Sequence, residues 1–223
     1  MTALTVHRVG RERTPVVVVD RPGEADEKLR RAALGADYGR LGSPHFPGVR
    51  AEAPEGYARQ LAAGLGPAAA RAMGWGEARI AVVASYFSIV TTPPDDLTLF
   101  QRVPHVDGTD EGGLAVMHYL SGSDGGTAFY AHRTTGWSVI TADRHGPYDR
   151  ALQADLARHG EPTGYRAGSN EVFEEVFRVD AAPGRLALYP GTLLHSGIVP
   201  DGPLPADPAC GRLTINTFLR REG

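Results

Sequence analysis

The chain has 223 residues, enough to bury a full core, and a net charge of −3, which leaves it without the cationic face that phosphate backbones demand. Its one cysteine, Cys210, rules out an internal disulfide and fits a reducing compartment; neither the first residues nor the apolar run at 16–19 is long enough for an export signal or a membrane span. A single-domain cytoplasmic protein with no nucleic-acid or membrane partner is expected, and because Lys28 is its only lysine, any buried cation must be an arginine.

In chain order, residues 16–19 read as a short strand and 24–34 as a charged helix begun after Pro22-Gly23. A loop is expected over 42–53. Residues 57–73 read as a second helix with Leu61 and Leu65 on one side, weakened by Gly64, Gly66 and Pro67. The run 79–90 is rich in β-branched and aromatic residues and reads as the first strand of the main sheet. Further strands are expected near 97–103, 114–120, 127–130, 173–179, 186–189, 196–199 and 213–219, with an inserted helix at 148–159 placed to cover a mouth. Many short strands with Gly and Pro turns predict a mainly β fold with flanking helices: a cupin-like jelly roll, or double-stranded β-helix, with residues 1–78 as support and 79–223 as its core.

His105 and Asp107 lie in Gln101-Arg102-Val103-Pro104-His105-Val106-Asp107-Gly108. On an extended strand both side chains project to one face. Among the eight histidines, His195 is the best third partner, because the apolar runs flanking Pro190-Gly191 read as buried strands and a buried imidazole needs a partner such as a metal. Two histidines and one carboxylate form the facial triad of non-haem iron(II) oxygenases, which keeps half an octahedron open; zinc hydrolases use similar ligands. The segment after His195 favours the first. Along 212–219, Arg212, Thr214, Asn216 and Phe218 share one face, and Leu213, Ile215, Thr217 and Leu219 the other. An arginine there is costly to bury unless an anion meets it, and its planar fork suits a carboxylate, as anchoring 2-oxoglutarate would require.

Over roughly residues 80–220 the chain resembles iron(II)/2-oxoglutarate-dependent oxygenases of the prolyl-hydroxylase type. Pro104-His105-Val106-Asp107 is similar to the family's His-x-Asp, and Met117-His118-Tyr119-Leu120 with Gly125-Gly126-Thr127-Ala128-Phe129 resembles its Tyr-Leu and Gly-Gly-x-x-x-Phe strand pair. Pro183-Gly184-Arg185-Leu186-Ala187-Leu188-Tyr189 resembles the strand leading to the distal histidine, and His195, Pro200 and Gly211-Arg212 its closing residues. The resemblance implies that His105, Asp107 and His195 bind Fe(II), that Arg212 pairs with the distal carboxylate of 2-oxoglutarate, that Tyr119 donates a hydrogen bond to it, and that O2 is the second cosubstrate. The segment 200–208 is longer than usual, and Phe218 stands where the family often has Trp. A carboxylate at Asp107 argues against halogenation, which needs a small residue there.

The implied reaction is oxidation of an unactivated C–H bond, hydroxylation by default and desaturation or cyclisation otherwise, with release of succinate and CO2. A small molecule such as an amino acid or a natural-product intermediate of secondary metabolism is the first expectation for substrate, and a peptidyl or protein side chain the second. Arg102, Tyr130, His132, Arg133 and Trp137 lie beside the motif strands and are expected to meet it. Gly125-Gly126 is read as a tight turn near the site, His118 as facing away from it, and His7, His45, His145 and His159 as surface residues. Two other readings stay open: a non-catalytic module binding metal or 2-oxoglutarate, and a zinc hydrolase using Asp110 or Glu111 as base. A homodimer is allowed for.

Overall fold

Alternating side chains on the strands feed two separate cores, and this sets the layering of the molecule. The computed structural model describes residues 3–20, 24–43, 45–122 and 125–222. Its strands are β1 (Ala3–Val9), β2 (Thr14–Asp20), β3 (Gly48–Glu52), β4 (Ile80–Val90), β5 (Gly113–Tyr119), β6 (Gly126–His132), β7 (Phe173–Asp180), β8 (Arg185–Pro190), β9 (His195–Ile198) and β10 (Leu213–Arg221). Its helices are α1 (Glu24–Leu34), α2 (Glu55–Ala72), the single turn α3 (Leu99–Arg102) and α4 (Ala142–His159). A seven-stranded sheet in the order β1-β2-β8-β5-β10-β4-β3 faces a three-stranded sheet in the order β7-β6-β9, with every pairing antiparallel. This is the expected jelly roll.

On β5, Leu114 and Val116 point outward to the helical layer, whereas Ala115, Met117 and Tyr119 point inward between the sheets. On β8, Leu186 and Leu188 likewise face out, and Ala187 and Tyr189 face in. The outward set meets Leu61, Leu65, Ala69 and Ala72 of α2, spaced along one face of that helix. Pro67 sits on the exposed side of α2, so the helix continues past it. At Gly66, α2 lies close against the sheet, since a Cβ there would lie 3.3 Å from the Ile80 side chain. His118, facing outward as expected, is held at the helical layer by the Tyr57 hydroxyl at 3.0 Å and Asp26 at 3.1 Å. On the far side α4 packs Tyr148, Leu152 and Leu156 against Tyr130 and Phe173 of the small sheet and Leu194 just before β9.

Several expectations need correction. The segment expected as a strand near 97–103 forms a 3-10 turn at Pro94–Asp96 followed by α3. The backbone N–H of Thr98 donates to the Gln101 side chain at 2.8 Å, a capping box that starts a helical turn. Within the expected loop at 42–53 lies β3, and β1 precedes the first expected strand. Gly146 and Pro147 concealed the first turn of α4, which begins at Ala142. No helix among the described residues is long and apolar enough to cross a membrane.

Leu188 is fully buried between the central strand β8 and α2. Leu188→Ala is expected to lower unfolding free energy by about 2–5 kcal/mol in urea titrations, and a loss below about 1 kcal/mol would contradict this packing.

Candidate metal centre

Backbone pairing brings the two motif histidines together. His105 and His195 form an isolated antiparallel bridge, each N–H donating to the other's carbonyl at 2.9 Å. The Asp107 N–H donates to the Gly191 carbonyl at 2.8 Å, so the His-x-Asp segment runs extended along the edge of β9 through single contacts rather than as a full strand. The outcome for side chains is the one that extended geometry predicts: ligand atoms of His105, Asp107 and His195 all lie within 4.8 Å of one another. The imidazole rings are 4.5 Å apart between centroids, and His195 Nε2 is 3.6 Å from Asp107 Oδ2.

The protonation of the cluster suits a cation. His195 Nδ1 lies 2.8 Å from the Leu193 carbonyl, which can only accept, so Nδ1 carries the proton and Nε2 turns its lone pair to Asp107 and His105. Burial holds both imidazoles neutral, pushing the pKa of His195 down to about 4 and that of His105, helped by repulsion from His195, also to about 4. Burial raises the Asp107 carboxyl, against the pull of His105 and Arg50. His105 and Asp107 keep surface open to the cavity while protein crowds them from the other sides. A divalent ion would offset the burial of this carboxylate and use lone pairs that now meet no donor. The donor set is that of a facial triad.

These residues line a cavity of about 620 Å³ between the sheets. Arg212, immediately before β10, lines it too. Its Nη2 donates to the Gly126 carbonyl at 2.8 Å, while Nε is buried with no hydrogen-bond partner among the described residues. No carboxylate among the described residues pairs with it, and burial lowers its pKa. The Gly125-Gly126 turn is structural as expected: both residues have positive φ, and a Cβ at Gly126 would lie 2.1 Å from the Val179 carbonyl. Tyr119 is packed in the inter-sheet core, its hydroxyl 2.7 Å from Thr127 Oγ1, and it is Thr127 that reaches the cavity lining.

The five expected substrate contacts lie outside that lining, two of them because side-chain direction on β6 carries them elsewhere. Thr127 faces the cavity, whereas Tyr130 and His132 point to α4. Tyr130 is fully buried there, and His132 is tied to Asp155 at 3.0 Å and Thr135 at 3.1 Å. Arg133 is exposed and donates to the Asn170 carbonyl, Trp137 stacks under the Arg144 guanidinium, and Arg102 reaches back to the Asp95 carbonyl. His45 and His145 are exposed, as expected, and they also border the cavity, as does the buried Arg50 of β3. Asp110, the candidate hydrolytic base, is turned away from this cavity and bound to Arg220. Glu111 does not line it either.

Asp107→Ala is expected to weaken Co(II) binding, measured by anaerobic calorimetry, by well over about tenfold, while Arg212→Ala leaves it within about twofold. Equal affinity in the Asp107→Ala protein would remove this cluster as a metal site.

Among solved structures, the chain is similar to AviO1 from Streptomyces viridochromogenes Tue57, at 13% identity and a TM-score of 0.51, covering 100% of this chain and 90% of that one. It is also similar to SnoN, the non-heme alpha ketoglutarate dependent epimerase from nogalamycin biosynthesis, at 14% identity and a TM-score of 0.51, covering 96% and 78%. At these identities the likeness is one of fold. No curated protein matches the sequence. The model of a family of unknown function, DUF6445, matches residues 1–219, and the chain belongs to that family.

Proposed function

We propose that the protein is a non-haem iron(II)/2-oxoglutarate-dependent oxygenase that oxidises an unactivated C–H bond of a small molecule. The observation that carries this reading is the presence, on one cavity, of a two-histidine, one-carboxylate cluster and a buried arginine whose Nε has no partner. SnoN, named as dependent on alpha ketoglutarate, has the same fold, which supports it further. The order of motifs from His105 to Arg212 supports the prolyl-hydroxylase type within that superfamily. Placement of Asp110 on Arg220, away from the cavity, counts against zinc hydrolysis.

His105, Asp107 and His195 would hold the iron, the Asp107 charge offsetting part of the ion's own. Arg212 would receive the distal carboxylate of 2-oxoglutarate through Nε and a terminal nitrogen, with Nη2 already fixed on Gly126. Thr127, bonded to Tyr119, stands on the same wall and would pass that hydroxyl pair's orientation to the cosubstrate. When bound, iron, 2-oxoglutarate and O2 supply the oxidising power, yielding succinate, CO2 and an oxidised substrate carbon. The protein's share is to place that carbon and keep water out. Walls from both sheets, α4 and the segment carrying Tyr165 surround the cavity, which favours a small molecule over a peptide chain. Hydroxylation is the default product; an epimerase of the same fold is reason to analyse products for other outcomes.

Anaerobic addition of Fe(II) and 2-oxoglutarate should produce a weak visible charge-transfer band, and admission of air should release succinate. Arg212→Ala should raise the 2-oxoglutarate concentration for half-maximal band intensity at least about tenfold. A wild-type protein giving neither band nor succinate would overturn the reading in favour of a binding module without turnover.

A further inference from the structure

A second arginine shares the cavity, and the proposed cosubstrate does not account for it. Arg50 lies on β3 and is 5% exposed, and its Nε is buried with no hydrogen-bond partner. Its guanidinium carbon stands 4.0 Å over the Phe46 ring and 5.4 Å over that of Tyr86, which fixes its plane. The chain loops tightly over it at Gly42, where φ is +72° and a Cβ would lie 2.9 Å from Arg50 Nη1. No carboxylate among the described residues forms an ion pair with it. The acid whose field it feels is Asp107, and burial otherwise works against its charge. Burying a guanidinium without an anion is costly, so a site that keeps one is built for an anion.

Charge balance shows which anion is missing. Counting the proposed metal cluster and the two arginines alone, a divalent ion, Asp107, Arg212 and Arg50 carry three positive charges, and 2-oxoglutarate removes two. One remains. Asp149, at the α4 rim of the same cavity, lies 3.3 Å from His145 and forms no ion pair with Arg50 among the described residues. The cavity wall beyond Arg50 is apolar: Val83 and Phe100 line it with 64% and 67% of their surface exposed, and Val106, Leu152 and Phe218 continue it. Exposed large apolar side chains at a mouth are where the body of a ligand rests.

We propose that Arg50 is the substrate anchor, and that the substrate is a monoanionic carboxylic acid with an apolar body, its carboxylate on the Arg50 guanidinium and its body along Val83, Phe100 and Phe218. The reaction at the iron rests on the function proposed above; the anchor does not, because it is read by binding.

The test is ligand-observed NMR and calorimetry on the whole protein, alone and with Co(II) and 2-oxoglutarate bound. The probes are octanoate, 3-phenylpropionate and N-acetylphenylalanine, each beside its primary amide. At least one acid should bind the wild type about tenfold or more tighter than its amide, in both states. That preference should vanish in Arg50→Met, survive in Arg50→Lys, and survive in Arg212→Met, which should lose 2-oxoglutarate instead. A wild type with no preference for any acid overturns the anchor, and needs no variant to fold. So does an Arg50→Met protein that keeps the preference. If Arg50→Met loses 2-oxoglutarate while Arg212→Met retains it, the anchor proposal fails and the cosubstrate belongs to Arg50. Absence of succinate with the acid preference intact would instead overturn only the oxygenase reading.

Discussion

The reciprocal backbone hydrogen bonds between His105 and His195 are the contact on which the site depends. Two segments far apart in sequence are held by one bridge, each donating to the other at 2.9 Å. Because the bridge is made by the two histidines themselves, it sets the separation and tilt of their rings. Gly191, in the turn leading to β9, then accepts from Asp107 and brings the carboxylate to the same point. The jelly roll contributes by fixing β9 against β6, so that a short strand of four residues becomes a rigid base for one imidazole.

Burial supplies the chemistry. Burial makes both imidazoles poor bases and so leaves their lone pairs free for a cation at neutral pH. The same depth makes uncompensated charge costly, and the cavity nevertheless keeps two guanidinium groups without acidic partners among the described residues. That positive charge is retained on either side of β4, at the start of interior strand β10 and on edge strand β3.

Much of this was legible in the residues, and the failures have physical reasons. β4, β5 and β8 carry the near-continuous apolar run of strands covered on both faces, β10 alternates, and their bounds came out within a residue or two. β1 shows almost no buried face, because it is an edge strand, and so gives no such signal. β3 is five residues long behind a Gly- and Pro-rich stretch, which hid both the strand and Arg50 on it. The turn at α3 did leave a signal, Thr98 followed three residues later by Gln101, which an apolar reading of 97–103 overrode. The meeting of His105, Asp107 and His195 was legible because spacing along an extended chain fixes which side chains project together. Substrate contacts were not, since nearness in sequence to a motif strand does not say which sheet face a side chain occupies: Tyr130 and His132 turn to α4 while Thr127 on the same strand turns to the cavity.

The most direct test is a crystal structure of the protein grown anaerobically with Fe(II) and 2-oxoglutarate, with iron located by anomalous scattering. The account predicts one iron peak bonded to His105, Asp107 and His195, and the distal carboxylate of 2-oxoglutarate on the Arg212 guanidinium. Iron elsewhere, or 2-oxoglutarate bound away from both the iron and Arg212, would contradict it.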